Sequence, residues 1–399
     1  MKIPHSNIWK LFFIKGGLWF MIIMPVIVLF FQDNDLNMME IMTLQAIYSS
    51  SLALAEIPSG YTADLLGRKK TLVLGCILSF LGFSLFSISY SFWWFFTAEI
   101  FLGLGNSFIS GADTAIMYDS LLEVKKEKKF LKYEGRSISI GNFSEAIAGI
   151  IGGSLAAISF RYPAYAQVLI SFLILPFAIS LKEPKMQQKR IKKSWKSILE
   201  VMSFCLKKSK ILKTHIFYSS GVGVGTLMMA WLAQPFIKEL GVQMKHYGLL
   251  WALLNVVVGF VAYHAHLIEN KFSEFQSLFI IGLVCVSGYL LISFNINLAG
   301  FGILLIFYAN RGYATPILRN HINRHTPSNV RATVMSIRSL IIRMSFALIA
   351  PWIGWVSDQW GLNSSFLIMG FLITIITVFC LYWFYKNKNE LAFNKQHDI

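Results

Sequence analysis

Several ionisable side chains lie inside otherwise apolar stretches of this 399-residue chain, and five of them are the first candidates for chemistry. Three acidic ones, Glu99, Asp113 and Glu145, fall in its first half, and two arginines, Arg311 and Arg343, fall in its second half. A charged side chain at the centre of a bilayer costs at least about 2.5–3.5 kcal/mol, so each needs a partner or a water-filled cavity. The carboxyl groups could carry a proton, and the guanidinium groups could hold an anion. The alternative is that all five form fixed ion pairs that fasten helices together.

The elements that carry these residues are predicted to be membrane-spanning helices. Apolar residues make up 55% of the chain and charged residues 14%, whereas soluble domains average about 45–50% and about 25%. A spanning helix needs about 20 mostly apolar residues. Twelve stretches satisfy that length: residues 11–31, 41–63, 71–90, 92–121, 137–160, 163–182, 214–237, 246–268, 275–294, 298–322, 332–356 and 363–385.

The positions of lysine and arginine predict the orientation of these spans. If the N-terminus is inside, 29 of the 36 Lys and Arg residues fall on inner segments, and only Arg161, Lys238 and Lys245 fall on outer ones. Basic residues mark the cytoplasmic side, so both termini are predicted to be cytoplasmic in a multi-pass protein of the cell (inner) membrane. The formal net charge of +16 is therefore a topology signal, and no nucleic-acid partner is expected.

A long polar connection at 183–213 divides the spans into six plus six. It predicts an N-terminal six-helix bundle at 1–182 and a C-terminal bundle with a short cytoplasmic tail at 214–399. Apolar residues recur within the connection at helical spacing: Trp195, Ile198, Leu199, Met202 and Leu206. This spacing is typical of an amphipathic helix on the inner membrane surface, although a flexible linker remains the alternative.

The two halves show an internal repeat. A shift of 202 residues superimposes Arg136-Ser137 on Arg338-Ser339. Because each copy holds six spans, both copies keep the same orientation, related by a pseudo-twofold axis along the membrane normal.

The loop between the second and third spans carries a charged motif with fixed spacing. It reads G-Y-T-A-D-L-L-G-R-K-K from residue 60, which includes Gly60, Asp64, Gly67, Arg68 and Lys69. The glycines permit a tight turn and close helix approach. This sequence resembles the G-x-x-x-D-x-x-G-R-K signature of the major facilitator superfamily, and the likeness covers the whole chain. The resemblance implies that Asp64 faces the start of the eleventh span and that Arg68 braces it.

The second copy of this motif is degenerate. At the 202-residue shift, Asp64 becomes His266 and Arg68 becomes Asn270. We therefore expect the second half to lack the contact that the family motif implies for the first half.

The resemblance implies an all-α membrane protein with the family's fold. Its two six-helix bundles would rock about a central substrate site and expose it to each side in turn. Residues 148–153 read A-G-I-I-G-G, which resembles the G-P-x-x-G-G motif of proton-coupled drug antiporters without its proline. Many family members carry arginine where Glu99 stands.

We accordingly predict a secondary active transporter that exports small amphipathic compounds, with Glu145, Asp113 and Glu99 as proton-coupling candidates. The alternative is proton-coupled transport of a small anionic metabolite, which Arg311 and Arg343 favour. A third hypothesis, of another class, is a non-transporting membrane sensor or scaffold.

Other residues are candidates by their type and depth. Those that could line a substrate cavity, besides the two arginines, are Asn310, Tyr308, Trp231, Gln234 and Asn255. Glu56 and Arg338 lie at similar depths in spans two and eleven, neighbours in the family, and are predicted to form a salt bridge.

Several features favour structural roles over catalysis. The chain has no Walker motif and no plausible Ser-His-Asp or paired-acid site, so we expect neither an enzyme nor a cofactor. The four cysteines form no CxxC pair, and His264 and His266 are interpreted as interfacial residues, so no metal is predicted. Gly221, Gly223 and Gly225 are expected to serve close helix packing. The expected partners are the substrate, protons and the lipid bilayer, and we expect a monomer.

Overall fold

The computed structural model describes residues 6–184, 210–294, 297–326 and 330–386, with the backbone but not the side chains of Ile57, Asp64, Leu131 and Ala332. This part of the chain is nearly all helical and contains no strand, which confirms the predicted all-α class. Most of the predicted amphipathic helix of the 183–213 connection lies outside the described residues.

Thirteen α-helices follow one another along the described residues. They are α1 (Ser6–Trp19), α2 (Ile27–Asp33), α3 (Met38–Leu66), α4 (Arg68–Ile88), α5 (Phe92–Ile109), α6 (Ala112–Glu123), α7 (Phe130–Ala156), α8 (Arg161–Ile179), α9 (Lys210–Glu239), α10 (Tyr247–Glu269), α11 (Glu274–Phe294), α12 (Leu298–Arg324) and α13 (Arg331–Lys386). Gly361, with a φ of 81°, divides α13 into two helices that meet at a kink.

Nine helical stretches in the described residues are long and apolar enough to cross a membrane. Helices α3 and α12, with 29 and 27 residues, also have the length of a spanning helix. The kinked α13 covers two of the predicted spans. The prediction of twelve spans is compatible with this arrangement.

The first predicted span, 11–31, is not one continuous helix. It breaks between α1 and α2, where Pro25 stands in a short 3₁₀ turn. The backbone N–H of Ile22, inside the break, donates to Oε1 of the buried Gln167 on α8 at 2.8 Å. Non-helical backbone at membrane depth requires such a partner, because no water is available there.

The fourth predicted span, 92–121, is also divided. Helix α5 ends and α6 begins around Gly111, which has a φ of 83°. Glycine adopts this left-handed conformation without steric cost, whereas a residue with a Cβ does so rarely. As a consequence, Asp113 stands in the first turn of α6, where the helix dipole favours a negative charge.

The described residues form two compact units. The first comprises residues up to 184 together with 242–252, and the second comprises 210–241 and the residues from 253 onward. The domain boundaries at 182/183 and 213/214 stay a prediction.

Small residues allow helices within each unit to approach closely. In the first unit, a Cβ added to Gly75 would lie 2.7 Å from the backbone oxygen of Gly105 on the neighbouring helix. In the second unit, the glycines of α9 pack against isoleucines of α13: Gly221 against Ile376, Gly223 against Ile342 and Gly225 against Ile373. The predicted packing role of these three glycines is confirmed.

The A-G-I-I-G-G segment of α7 makes a close backbone contact within the first unit. A Cβ added to Gly248, at the start of α10, would lie 2.2 Å from the backbone oxygen of Gly149, and one added to Gly153 would lie 2.5 Å from the nitrogen of Gly248. A Cβ on Gly152 would lie 1.9 Å from the oxygen of Ile22. Only glycine therefore fits this crossing without displacement of backbone.

This contact predicts opposite effects for two glycine substitutions in the same helix. Gly248→Ala should lower the midpoint of thermal unfolding in detergent, because overpacking costs about 1–3 kcal/mol. Gly259→Ala is the control, since an added Cβ there meets nothing within 4 Å in the described chain and alanine favours helix by about 1 kcal/mol. Equal midpoints for the two variants would contradict the assigned packing.

Candidate functional site

A group of polar side chains in the first unit joins α1, α6 and α7. Nζ of Lys15 lies 2.9 Å from Oδ2 of Asp113, and the two side chains are only 20% and 15% exposed. Oδ1 of Asp113 accepts a hydrogen bond from the N–H of Thr114 at 2.7 Å. The hydroxyl group of Thr114 also donates to Oδ1 of Asp113 at 3.3 Å, and Glu134 on α7 lies near Thr114, Lys15 and Asp113. We refer to Lys15, Asp113, Thr114 and Glu134 as the Lys15 cluster.

The charges of the Lys15 cluster do not balance when all its groups are ionised. One ammonium group faces two carboxyl groups, so the cluster then carries a net charge of −1, and it becomes neutral when one carboxyl group takes up a proton. In a partly buried site, where the effective dielectric constant is well below that of water, this imbalance has a larger energetic effect than at a surface. The arrangement is therefore suited to binding a proton or a small cation.

The other two predicted proton-coupling residues lie elsewhere. Glu99 is buried in α5 at 3% exposure and accepts a hydrogen bond from Nε2 of Gln45 at 3.2 Å. Glu145 is half-buried in α7, and eleven residues of helix, about 16 Å, separate it from Glu134. The three predicted carboxyl groups therefore do not share one site.

Arg68 of the charged motif binds α6 of its own unit. Its guanidinium group forms an ion pair with the carboxylate of Asp119 and donates to the backbone oxygen of Ala115 at 3.0 Å. Asp119 was not predicted from the sequence to pair with this motif. The side chain of Asp64 is outside the described residues, so its contact with the eleventh span stays a prediction.

The motif also receives a helix cap from a distant carboxylate. Glu183, just beyond α8, accepts hydrogen bonds from the backbone N–H groups of Arg68 and Lys69, both at 2.8 Å. These N–H groups have no partner within the first turn of α4. Gly67 has a φ of 97°, and a Cβ there would lie 3.0 Å from the Glu183 carboxyl group. Gly60, by contrast, sits inside α3 with open space beside it.

Two arginines predicted to hold a substrate anion lie in the second unit. Arg343 on α13 is half-buried, and its Nε has no hydrogen-bond partner in the described chain. Arg311 on α12 places its guanidinium group 5.7 Å from the ring centre of Tyr308. A buried N–H donor without a partner is costly, so Arg343 is the stronger candidate for an anion.

The remaining substrate candidates differ in their burial. Tyr308, Asn310 and Gln234 are buried in the second unit, at 1%, 6% and 2% exposure, and Nδ2 of Asn310 donates to a backbone oxygen of α11 at 3.1 Å. Trp231 and Asn255 are half-buried.

Arg338 makes a contact inside the second unit. Its Nε donates to Oγ of Ser219 on α9 at 2.5 Å, and Glu56 is half-buried in α3 of the first unit. The predicted Glu56–Arg338 salt bridge stays a prediction.

Sequence reasoning missed two sets of polar residues. Glu134 escaped notice because the fifth span was predicted to begin at 137, whereas α7 begins at Phe130. In the described residues, one group could hold a metal ion, and it comprises His215, Glu274 and His325. The sequence signal for this region is the four-residue spacing of His321 and His325, which places two histidines on one face at the end of α12.

The two histidines that the sequence analysis considered for a metal are not brought together. Nδ1 of His264 and Nδ1 of His266 each contact a backbone oxygen of their own helix, at 2.9 and 3.2 Å. His264 is half-buried and His266 is exposed.

Comparisons with known proteins agree with this architecture. The Major Facilitator Superfamily model matches residues 11–351. The uncharacterized MFS-type transporter YxaM of Bacillus subtilis (strain 168) is 23% identical over 372 residues, covering 90% of this chain and 91% of the relative. The uncharacterized transporter BU466 of Buchnera aphidicola subsp. Acyrthosiphon pisum (strain APS) is 26% identical over 308 residues, covering 73% and 74%.

Solved structures with a similar fold are also transporters. The nucleoside transporter NupG superimposes with a TM-score of 0.81 at 12% identity, covering 96% of this chain and 99% of that chain. A bacterial homolog of the human lysosomal transporter Spinster gives 0.76 at 14% identity, covering 96% and 97%. A D-xylose–proton symporter gives 0.70 at 13% identity, covering 94% and 95%. At these identities the likeness shows the fold alone.

The Arg68–Asp119 ion pair predicts a loss of stability when its carboxylate is removed. Asp119→Asn leaves the partly buried Arg68 without an anion, and breaking a buried pair is strongly destabilising. We expect the midpoint of thermal unfolding in detergent to fall by at least about 3 °C, since roughly 1 kcal/mol shifts a domain of this size by about 2–4 °C. The exposed Lys70 of the same motif provides the control, and Lys70→Ala should leave the midpoint unchanged. An unaltered midpoint in Asp119→Asn would show that the pair does not stabilise the fold.

Proposed function

The chain belongs to the major facilitator superfamily, and from that premise we propose that it is a proton-coupled secondary transporter that exports small amphipathic compounds. Its relatives and its structural neighbours are transporters, so it is a membrane transporter and not an enzyme. Family membership likewise favours transport over the role of a passive sensor or scaffold.

The observation that carries the proton-coupling proposal is the Lys15 cluster. A charged residue inside a membrane protein marks a substrate path or a proton relay unless it is fully neutralised. Lys15 can neutralise only one of the two carboxylates, Asp113 and Glu134. The other carboxylate can therefore take up a proton. Loss or gain of that proton changes the charge that α1, α6 and α7 must accommodate, which provides a way to bias the packing of these helices.

The class of substrate is suggested by a cavity of about 330 Å³ in the first unit. Ligand pockets typically have volumes of about 300–1,000 Å³ and apolar walls with a few polar groups. The walls here are mostly apolar, with Ser144 as a polar lining residue. The cavity is lined by Phe12, Phe13, Gly16, Gly17, Phe20, Ile140, Ser144, Ile170, Leu173 and Ile174.

This cavity shares its helices with the Lys15 cluster. Gly16 on α1 follows Lys15 directly, and Ser144 on α7 precedes Glu145. An apolar cavity on helices that also carry carboxyl groups suits a compound with an apolar body and a polar or cationic end.

The direction of transport rests on the A-G-I-I-G-G segment. It resembles the motif of proton-coupled antiporters, and its glycines make the close backbone contacts of α7 with Gly248 and Ile22. A segment that must pack this tightly is suited to a contact that forms and separates during exchange of a proton for a substrate.

Neutral amide substitutions test the coupling. In sealed proteoliposomes with an imposed pH gradient, a panel of amphipathic compounds would identify a transported substrate. Asp113→Asn and Glu134→Gln should then abolish concentrative transport but spare exchange at equilibrium, because binding remains while the driving proton is lost. Glu145→Gln and Glu99→Gln test the other candidates in the same assay.

Glu123→Gln, at the exposed end of α6, is the control and should pump like the unsubstituted protein. If all four amide variants at positions 113, 134, 145 and 99 still concentrate the substrate, the proton-coupling proposal is wrong.

A second candidate function is transport of a small organic anion, which the unpartnered Nε of Arg343 favours. Binding of such an anion should persist at high salt, since a partly buried charge is screened less than an exposed one. Arg343→Ala and Arg311→Ala should each weaken binding at least tenfold, measured by calorimetry, whereas Arg319→Ala, at an exposed position of α12, should not. Binding of amphipathic cations and no organic anions would remove this alternative.

A further inference from the structure

Three helix ends in the second unit bring nitrogen and oxygen ligands together. His215 lies near the start of α9, Glu274 begins α11, and His325 follows the end of α12. With the orientation predicted from the basic residues, all three ends are on the cytoplasmic side. We infer that His215, Glu274 and His325 bind a divalent transition-metal ion, of which Zn²⁺ is the representative.

The distances between the ligand atoms fit this assignment. Nε2 of His215 lies 2.9 Å from Oε1 of Glu274, Nε2 of His325 lies 3.3 Å from the same oxygen, and all three ligand atoms lie within 4.8 Å of one another. Zinc binds imidazole nitrogen and carboxylate oxygen at about 2.0–2.2 Å in tetrahedral geometry, which places two ligand atoms about 3.3 Å apart. A small movement of His215 and His325 would bring the set to coordination distance.

The burial of His215 provides an independent argument. Its side chain is only 1% exposed, and neither ring nitrogen makes a well-directed hydrogen bond within the described residues. Its Nε2 is close to the Glu274 carboxylate, but the oxygen lies off the direction in which that nitrogen points. A buried polar group without a directed partner is costly, and a cation shared with Glu274 and His325 would satisfy it.

The rings of the two histidines already face each other. The imidazoles of His215 and His325 are stacked, with centroids 4.9 Å apart and planes 19° from parallel. The side chains of Glu274 and His325 are 28% and 26% exposed, so an ion can enter from the surface. Three protein ligands leave a fourth position for water.

A second group of polar side chains, joined by hydrogen bonds, lies next to the proposed metal site. Nε2 of His321 and Oε1 of Glu269 are hydrogen-bonded at 2.7 Å, and the other carboxylate oxygen accepts from Oγ of Ser277 at 2.6 Å and from the hydroxyl group of Tyr313 at 2.7 Å. The ring of His321 lies 5.7 Å from that of His215. These contacts join α12, which carries His321 just before His325, to α10 and α11.

The ligand types narrow the choice of ion. Two imidazoles and one carboxylate suit Zn²⁺, Co²⁺ or Ni²⁺, whereas Ca²⁺ and Mg²⁺ prefer all-oxygen sites. The ligands lie at the ends of three helices, so we assign the ion a role in joining these ends and not that of cargo. The inference does not depend on the proposed transport function.

The experiment uses the full chain, without a histidine tag, purified in detergent, treated with a chelator and then given Zn²⁺ alone. We expect one tightly bound Zn²⁺ per chain by elemental analysis and by competition with a fluorescent chelator. Glu274→Gln and His325→Ala should each weaken binding at least tenfold. The His264→Ala/His266→Ala double variant removes two histidines outside the proposed site, one half-buried and one exposed, and should bind as the unsubstituted chain does.

Two measurements on the unsubstituted protein guard against variants that fail to fold. Zn²⁺ should protect His325, but not His264, from modification by diethyl pyrocarbonate, read by mass spectrometry. Co²⁺ in place of Zn²⁺ should give the visible absorption of a tetrahedral site. Absence of stoichiometric binding, equal loss of binding in the His264/His266 double variant, or no protection of His325 would each overturn the inference. The residues of the three His–Glu contacts, His215, Glu269, Glu274, His321 and His325, would then form a metal-free network.

Discussion

The interior of a bilayer offers no water, so every polar group in a spanning segment must find its partner in the protein. This constraint explains the polar contacts of the first unit. Asp113 meets Lys15 at 2.9 Å, Glu99 accepts from Gln45, and Gln167 accepts from the backbone of the break between α1 and α2. Each contact joins different helices. The few polar residues therefore determine which helix faces meet. The many apolar residues determine only that the helices are buried in the bilayer and in the bundle.

The same constraint connects helix breaks with chemistry. The break at Gly111 places Asp113 at the positive end of α6, and that position, together with Lys15, offsets the cost of a carboxylate at membrane depth. A continuous helix would offer only the side-chain partner. Discontinuous helices in transporters often form binding sites for this reason. In this chain the discontinuity and the candidate proton site occupy the same few residues.

Hydropathy predicted the helical class and the apolar stretches that form the long helices, and the spacing of residues 60–70 identified the charged motif, because these features depend on local sequence. Hydropathy did not predict the breaks that divide the predicted spans 11–31 and 92–121. These features did not predict which polar side chains on different helices pair with one another. The pairing of Lys15 with Asp113 joins residues 98 positions apart, and it depends on how α1 and α6 are rotated about their axes, which apolar periodicity defines poorly in helices that are apolar on all sides. Glu134 was missed because polar residues extend α7 beyond its apolar stretch. The His–Glu groups were missed because their members come from four helices.

The internal repeat connects the two charged regions. The 202-residue shift that relates the halves places Asp119 on His321 and Arg68 on Asn270, directly after Glu269. In the first unit an arginine at the start of α4 binds an aspartate of α6, and in the second unit a glutamate at the end of α10 binds a histidine of α12. In both units a charged residue beside the turn between the second and third spans contacts the fourth span, but the carboxylate lies on α6 in the first unit and at the turn in the second. The residues proposed to bind a metal, His215, Glu274 and His325, lie beside the Glu269–His321 contact and are additional to it. The second half, which lacks the family motif, thereby acquires a different means of fastening the same helix ends.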